Sequence, residues 1–302
     1  MRLIALLLLT AGSLSARVAR PIPIVLDTDI GTDIDDAFAL ALVIASPELD
    51  LRAVTTVSGD TQARARLAAK MLWEAGRRDV PVAAGEPGGK LPIAQTHWAD
   101  GFTSASLLSV KAVDLLKAEI DRAPGVITVV PIGPLTNIAA LLKQCPGEAK
   151  KIKRIVLMGG SIARGYDPGS GSTAEYNIAA DPAAAQTIFS SGIPILMAPL
   201  DVTARLKLDA PRRQRLFAHS TPLTDALKVL YALWNQPTPT LHDPMAVSLV
   251  FNPGLCKTKP MAIQVDDRGM TRPVEGKPAN AVVALETDPG RVIDFCMRRL
   301  AP

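Results

Sequence analysis

The chain has 302 residues, 48% of them hydrophobic, a length and composition that bury a full core and exclude intrinsic disorder. Its 33 basic and 29 acidic side chains give a net charge of +4, and no basic run interleaved with aromatics stands out, which argues against a nucleic-acid groove. Cys145, Cys256 and Cys296 are too far apart for a zinc motif and allow at most one disulfide, with isolated buried thiols the simpler expectation.

The first sixteen residues, MRLIALLLLTAGSLSA, place one Arg before an apolar stretch and a small-residue end, the layout of a secretory signal with cleavage near Ala16. The apolar stretch is shorter than the roughly 20 residues of a spanning helix, and no Cys follows to carry a lipid. Export to the periplasm or the medium, without stable membrane association, is therefore expected, leaving residues 21–302 as one domain. From Ile22 onward, PIVLD, LRAVTTV, ITVVP, RIVLMGG and PILMAP read as buried strands. Between them DDAFALALVIAS, TQARARLAAKMLWEAG, SLLSVKAVDLLKAEIDR, LTNIAALLKQ and DPAAAQTIFSS have helical periodicity. After about Asp209 the pattern is helix-rich, followed by late strands at MAIQVD and NAVVALE and a closing helix at PGRVIDFCMRRL. This alternation predicts a single α/β domain with a mostly parallel, open, Rossmann-like sheet flanked by helices. In such sheets ligands bind beyond the carboxyl ends of the strands, and the polar clusters fall there.

The first of these clusters is the most informative. VLDTDIGTDIDDAFAL holds five aspartates, Asp27, Asp29, Asp33, Asp35 and Asp36, within ten residues. Carboxylates so close repel one another and lose hydration when buried, so a positive charge must offset them. Several carboxylates on one tight turn suit a hard cation. Helix capping and the helix dipole account for one or two of the five, not for all. The segment IVLDTDIGT also fits a phosphatase of the haloacid dehalogenase type, with Asp27 as nucleophile, Asp29 as acid, magnesium as partner and Asp266–Asp267 as the later acidic pair. That reading leaves the Asp35–Asp36 doublet without a role. Near the other end, LHDPMAV places His242, one of three histidines, beside Asp243 at a helix start.

Taken together in chain order, DTDIGTDIDDAFAL, TTVSGD, HWADG, VPIGPLTNIA, IVLMGG, AEYNIAADPAAA and HDPMAV resemble the calcium-dependent, inosine-uridine-preferring nucleoside hydrolases. The resemblance implies hydrolysis of the N-glycosidic bond of ribonucleosides to ribose and free base, with a water activated at Ca2+. It implies Asp29, Asp36, Asp243 and the backbone carbonyl of Ile132 as metal ligands, Asp29 also as the base that activates the water, and His242 as the acid that protonates the departing base. Asp35, Asp60, Met158, Glu175 and Asn177 would hold the substrate, and His97, Trp98 and Trp234 would face the base. It also implies a homo-oligomer, a dimer or tetramer. The residue types suit the chemistry, because ribose–base cleavage passes through a cationic sugar that carboxylates stabilise.

This chain departs from the family pattern at four places. Two extra residues, Asp33 and Ile34, precede the doublet, so Asp33 is a further candidate for the ion. Asp60 stands where many members have Asn. Trp98 replaces a Gly, and Gln95 stands where some members have His. These changes keep open a protein that binds nucleosides or ribose without turnover.

Overall fold

A computed structural model describes residues 20–89 and 93–302. The segment that carries the export expectation, residues 1–16, lies outside them. The strands are β1 Ile22–Thr28, β2 Leu49–Thr56, β3 Val82–Ala84, β4 Leu107–Leu108, β5 Thr128–Pro131, β6 Arg154–Met158, β7 Ile195–Ala198, β8 Cys256–Met261, β9 Ile263–Val265, β10 Thr271–Pro273 and β11 Ala281–Thr287. The helices are α1 Asp35–Ile44, α2 Thr61–Glu74, α3 Ala112–Arg122, α4 Thr136–Gln144, α5 Tyr176–Ala180, α6 Pro182–Phe189, α7 Leu200–Thr203, α8 Ala210–Ala218, α9 Pro222–Trp234, α10 His242–Phe251 and α11 Pro289–Leu300.

Nine strands form one sheet in the order β4-β3-β2-β1-β5-β6-β7-β11-β8, parallel except for the β11–β8 pair, while β9 and β10 form a separate hairpin. The expected single α/β domain is what the structure contains. Alternation along β1 distributes its side chains between the two faces of the sheet. Ile24 and Leu26 join the apolar layer that includes α1, α2, α10 and α11. Val25 joins the layer of α3, α4 and α6. From β1 the chain builds outward through β2, β3 and β4 on one side, then returns to start β5, β6 and β7 on the other. The loops after β1 and β5 therefore part at a topological switch point, where parallel sheets leave a crevice.

Helix α1 is apolar almost all round, and its first nine residues are buried. Such a helix lies inside the protein, and it carries Asp35 and Asp36 in with it. The predicted helix beginning at Ser106 is shorter than expected. Leu107 and Leu108 pair with Val82 and Ala83 as edge strand β4, and helical structure starts only at Ala112. Short apolar runs fit either element by periodicity alone, and here an available sheet edge decides. Strand β8, in CKTKPM, carries too little apolar patterning to be read as a strand, and MAIQVD contributes only β9 beyond the end of β8. No helix among the described residues is long and apolar enough to cross a membrane. Cys145, Cys256 and Cys296 are all free thiols.

Candidate metal centre and active site

A cavity of about 220 Å³ opens at the switch point. Asp29 and Asp33 reach it from the turn after β1, Asp35 and Asp36 from the first turn of α1, and Asp243 from the first turn of α10. Gly31 makes that turn feasible. It sits at φ +114°, and a Cβ there would lie 2.6 Å from Ile93 Cγ2. Gly133 lets the loop after β5 close in, since its Cβ would stand 2.8 Å from Asp29 Oδ1. Ile132, Met158, Glu175 and Asn177 line the same cavity, with Thr32, Tyr166, Tyr176 and His242.

One oxygen each from Asp35, Asp36 and Asp243 lies within 4.8 Å of the other two, and all three residues are buried. The Asp243 N–H donates to Asp35 Oδ2 at 3.4 Å, and the Thr28 hydroxyl donates to Asp36 Oδ1. Burial raises all three carboxyls well above the usual carboxylate range, and repulsion from neighbouring aspartates adds to it. Asp29 is brought up to about 6 by burial, with the Arg64 guanidinium acting in the opposite direction. Such a group of buried, mutually repelling oxygen donors fits a hard divalent cation, which would neutralise them together.

Arg64 is a site residue that the motifs did not single out. Its side chain is fully buried. Nε donates to the Ser58 carbonyl at 2.8 Å, Nη1 to the Ile30 carbonyl at 3.0 Å and also to the Asp29 carbonyl, and Nη2 to Thr32 Oγ1 at 2.8 Å. The planar guanidinium thus ties the aspartate turn to the β2–α2 loop. Gln95 is equally buried, and its Nε2 donates to the Asp33 carbonyl at 2.7 Å, bracing the two-residue insertion. Arg64 stands in helical register with the buried Leu67, Ala68 and Met71. An Arg on an apolar stripe is the sequence signal that marks it.

The remaining predicted residues divide. Asn177 Nδ2 donates to the Ile132 carbonyl at 3.0 Å and the Met158 carbonyl at 3.3 Å, so those three meet at one edge of the cavity. Glu175 is the N-cap of α5, with Oε1 accepting from the Asn177 N–H and Oε2 from the Gly160 and Ile178 N–H groups. Burial nevertheless pushes its carboxyl up to about 7. His242 Nδ1 lies 2.9 Å from Thr203 Oγ1, leaving Nε2 for the cavity, and the ring stands edge-on to Tyr166 with centroids 6.1 Å apart. Burial, followed by Lys207, pushes the imidazole down to about 4, so it is neutral at pH 7. It therefore holds no ready imidazolium.

Asp60, His97 and Trp98 are not in the cavity lining. Asp60 caps α2, accepting from the Ala63 N–H at 2.9 Å, and helix capping alone explains a carboxylate there. His97 is 73% exposed and pairs with Asp100. Trp98 is half-buried with the Lys70 ammonium 4.4 Å from its ring centroid. Trp234 is also outside the lining, at the end of α9; burial raises the Asp33 carboxyl, and the Ile34 N–H at 2.6 Å, then Trp234, draw it back down.

Asp27 excludes the phosphatase alternative. Strand alternation turns it to the face of α4, away from the cavity, where Oδ1 accepts from Thr55 Oγ1 at 2.5 Å and Asn137 Nδ2 at 2.8 Å. No substrate reaches it, and Asp266 and Asp267, at the β9–β10 turn, are not in the cavity lining. Burial raises Asp27 to about 7, partly opposed by those two hydrogen bonds. A carboxyl that titrates near 7 folded and near 3.8 unfolded contributes stability below pH 3.8, and that contribution is lost as pH rises through 7. Asp27→Asn is therefore expected to leave catalysis intact and to raise the melting temperature above pH 7 but not near pH 4. Melting curves at both pH values, with activity in parallel, check this.

Comparison with known proteins agrees with this geometry. The family model described as inosine-uridine preferring nucleoside hydrolase matches residues 24–294. The chain belongs to this family. The non-specific ribonucleoside hydrolases RihC of Shigella boydii and Escherichia coli are each 38% identical to it over 298 residues, covering 88% of this chain and 94% of theirs. Among solved structures, the plant nucleoside hydrolase PpNRh1 aligns with a TM-score of 0.81 at 28% identity, over 93% of this chain and 99% of its own. The purine-preferring ribonucleoside hydrolase of Gardnerella vaginalis aligns at 0.78 and 27% identity, over 92% of this chain and 98% of its own. This nucleoside hydrolase is thus an N-glycosyl hydrolase that splits ribonucleosides into ribose and free base, which displaces the reading as a binding protein without turnover.

Proposed function

We propose that this nucleoside hydrolase uses Ca2+ held by Asp29, Asp36, Asp243 and the Ile132 carbonyl. The observation that carries the proposal is the meeting of Asp35 and Asp36 of α1 with Asp243 of α10, one oxygen of each within 4.8 Å of the other two, in the cavity that Asp29 and Ile132 also line. When bound, the ion supplies a fixed positive charge that acidifies a water and orients the vicinal ribose hydroxyls. Asp29 accepts the water's proton. Asp35 accepts hydrogen bonds from the ribose hydroxyls, while Asn177 and Glu175 bound the sugar from the opposite edge. The carboxylates around the ring stabilise the positive charge that grows on the sugar as the bond to the base lengthens.

His242 faces the departing base. In the tautomer whose Nδ1 accepts from Thr203, Nε2–H is a neutral donor to the nitrogen on which negative charge develops. His242→Ala is expected to lower kcat for inosine by roughly a hundredfold. A 4-nitrophenyl riboside, whose leaving group needs no proton, should be far less affected.

The direct test is ribose release from inosine, uridine, adenosine and cytidine, with calcium supplied and then chelated, alongside Asp29→Ala. Release that requires calcium and fails in the variant supports the reading, and full release in chelator contradicts it. Export and assembly as a dimer or tetramer belong to the same proposal, supported by the character of residues 1–16 and by the family resemblance. N-terminal sequencing of the mature protein and light scattering test them.

A further inference from the structure

His242 is held from behind by a side chain that does not itself line the cavity. Thr203, the last residue of α7, is fully buried, and its Oγ1 lies 2.9 Å from His242 Nδ1. The two residues, 39 positions apart, are brought together by backbone pairing. The Leu241 N–H donates to the Leu206 carbonyl and the Leu208 N–H to the Pro239 carbonyl, each at 2.9 Å, so the exit of α7 is bonded to the segment that leads into α10. Helix α7 is fixed at its start as well. The Leu200 N–H donates to the Gly160 carbonyl at 2.9 Å, and Asp201 accepts from the Ile162 and Ala163 N–H groups at 2.8 Å each. The loop so anchored carries Tyr166, whose ring stands edge-on to the imidazole and whose hydroxyl accepts from the Tyr176 N–H at 2.8 Å. The imidazole is therefore placed by the protein before any substrate arrives.

The same contacts decide which ring nitrogen carries the proton. Among the described residues, His242 Nδ1 is the only hydrogen-bond partner of Thr203 Oγ1. A hydroxyl has one proton to give. If Nδ1 carried the ring proton, the bond would run from ring to hydroxyl, and the hydroxyl's own proton would be buried without an acceptor. With the hydroxyl donating, both groups are satisfied and the ring proton sits on Nε2. We infer that Thr203 is a positioning residue for departure of the base: its hydroxyl sets His242 in the tautomer that presents Nε2–H to the cavity. This inference rests on the reading of His242 as the donor to the departing base. Without the hydroxyl the ring proton is free to occupy either nitrogen, because the partner at one nitrogen is what fixes the state of the other. In the Nδ1–H form the ring turns a lone pair toward the base and donates nothing.

The test compares inosine with a 4-nitrophenyl riboside, in protein supplied with calcium, across three variants. Thr203→Val keeps the shape and removes the hydroxyl, Thr203→Ser restores the hydroxyl, and His242→Ala removes the donor. In Thr203→Val, kcat for inosine should fall by roughly tenfold with KM little changed, while the 4-nitrophenyl riboside changes by less than about twofold. Thr203→Ser should recover most of the loss. Nitrogen NMR of histidine-labelled protein gives a readout that packing alone does not move. The His242 signals, assigned by their loss in His242→Ala, should show only Nε2–H in the wild type and a mixture of tautomers in Thr203→Val. An Nδ1–H ring in the wild type would overturn the inference, as would a Thr203→Val variant that keeps the inosine rate or slows both substrates alike. If His242→Ala itself slows both substrates alike, the reading of His242 as donor fails and this inference falls with it.

Discussion

Asp243→Asn is expected to reduce ribose release by at least a thousandfold and, in the absence of calcium, to make the protein more stable. Both effects follow from one placement. Asp243 brings a carboxylate from α10 against Asp35 and Asp36 in a buried space, where burial and then repulsion by Asp35, Asp36, Asp29 and Asp33 raise its carboxyl. An amide of the same shape keeps the packing and removes one of the repelling charges, an effect of roughly 1–3 kcal/mol at neutral pH. The raised carboxyl contributes stability below its unfolded value of 3.8 and loses it as pH rises toward the folded value. The metal-free wild type should therefore weaken from pH 4 upward, and the variant less steeply. Calcium should raise the melting temperature of the wild type alone. Thermal melts with and without calcium, beside the ribose assay, check the two signs together. A variant less stable than the metal-free wild type would show that Asp243 is held by its packing and hydrogen bonding and not strained by charge.

Arg64→Met should act in the opposite direction on stability and in the same direction on the metal. The substitution removes the group that joins Ser58, Asp29, Ile30 and Thr32, and leaves the buried Asp29 and Ile30 carbonyls without that donor. The loss is expected to be roughly 3–5 kcal/mol, or on the order of 10 °C in melting temperature for a chain of this size. Pure electrostatics would make the site bind cations more tightly once Arg64 is gone. A turn that loses its tie should bind them more weakly. We expect the second effect to dominate, with calcium affinity falling at least tenfold, and Arg64→Lys to recover only part of it because an ammonium lacks the planar fork. Calcium titration of the folded variants decides the point. Unchanged or tighter binding would restrict Arg64 to a role in folding.

Much of this could be read from residues alone, for identifiable reasons. The strands around the switch point are short, apolar runs, so β1, β2, β5, β6 and β7 fall where the patterning places them. The carboxylates of Asp35, Asp36 and Asp243 converge because two buried helices begin at the same crevice, and a pair of acidic residues heading an apolar helix is visible in sequence. Asp60 was less legible, since an aspartate at a helix start serves a cap and a binding site equally well, and here it caps. His97 and Trp98 sit on the segment that braces the turn through Gln95, but His97 turns outward and Trp98 packs half-buried against the core beneath Lys70. Direction on a short 3-10 segment is set by tertiary packing, which motif spacing does not encode. The edge strands β4 and β8 were obscured because little apolar pattern is needed at a sheet margin.

If the buried aspartates form one cation site on which ribose cleavage depends, calcium uptake and turnover must rise together. Calorimetric titration of chelator-stripped protein with calcium, followed by ribose release from inosine at each point, tests it most directly. One ion per chain is expected, with activity rising in proportion to occupancy and neither signal in Asp36→Asn. Ribose released at the full rate by stripped protein that takes up no calcium would contradict it.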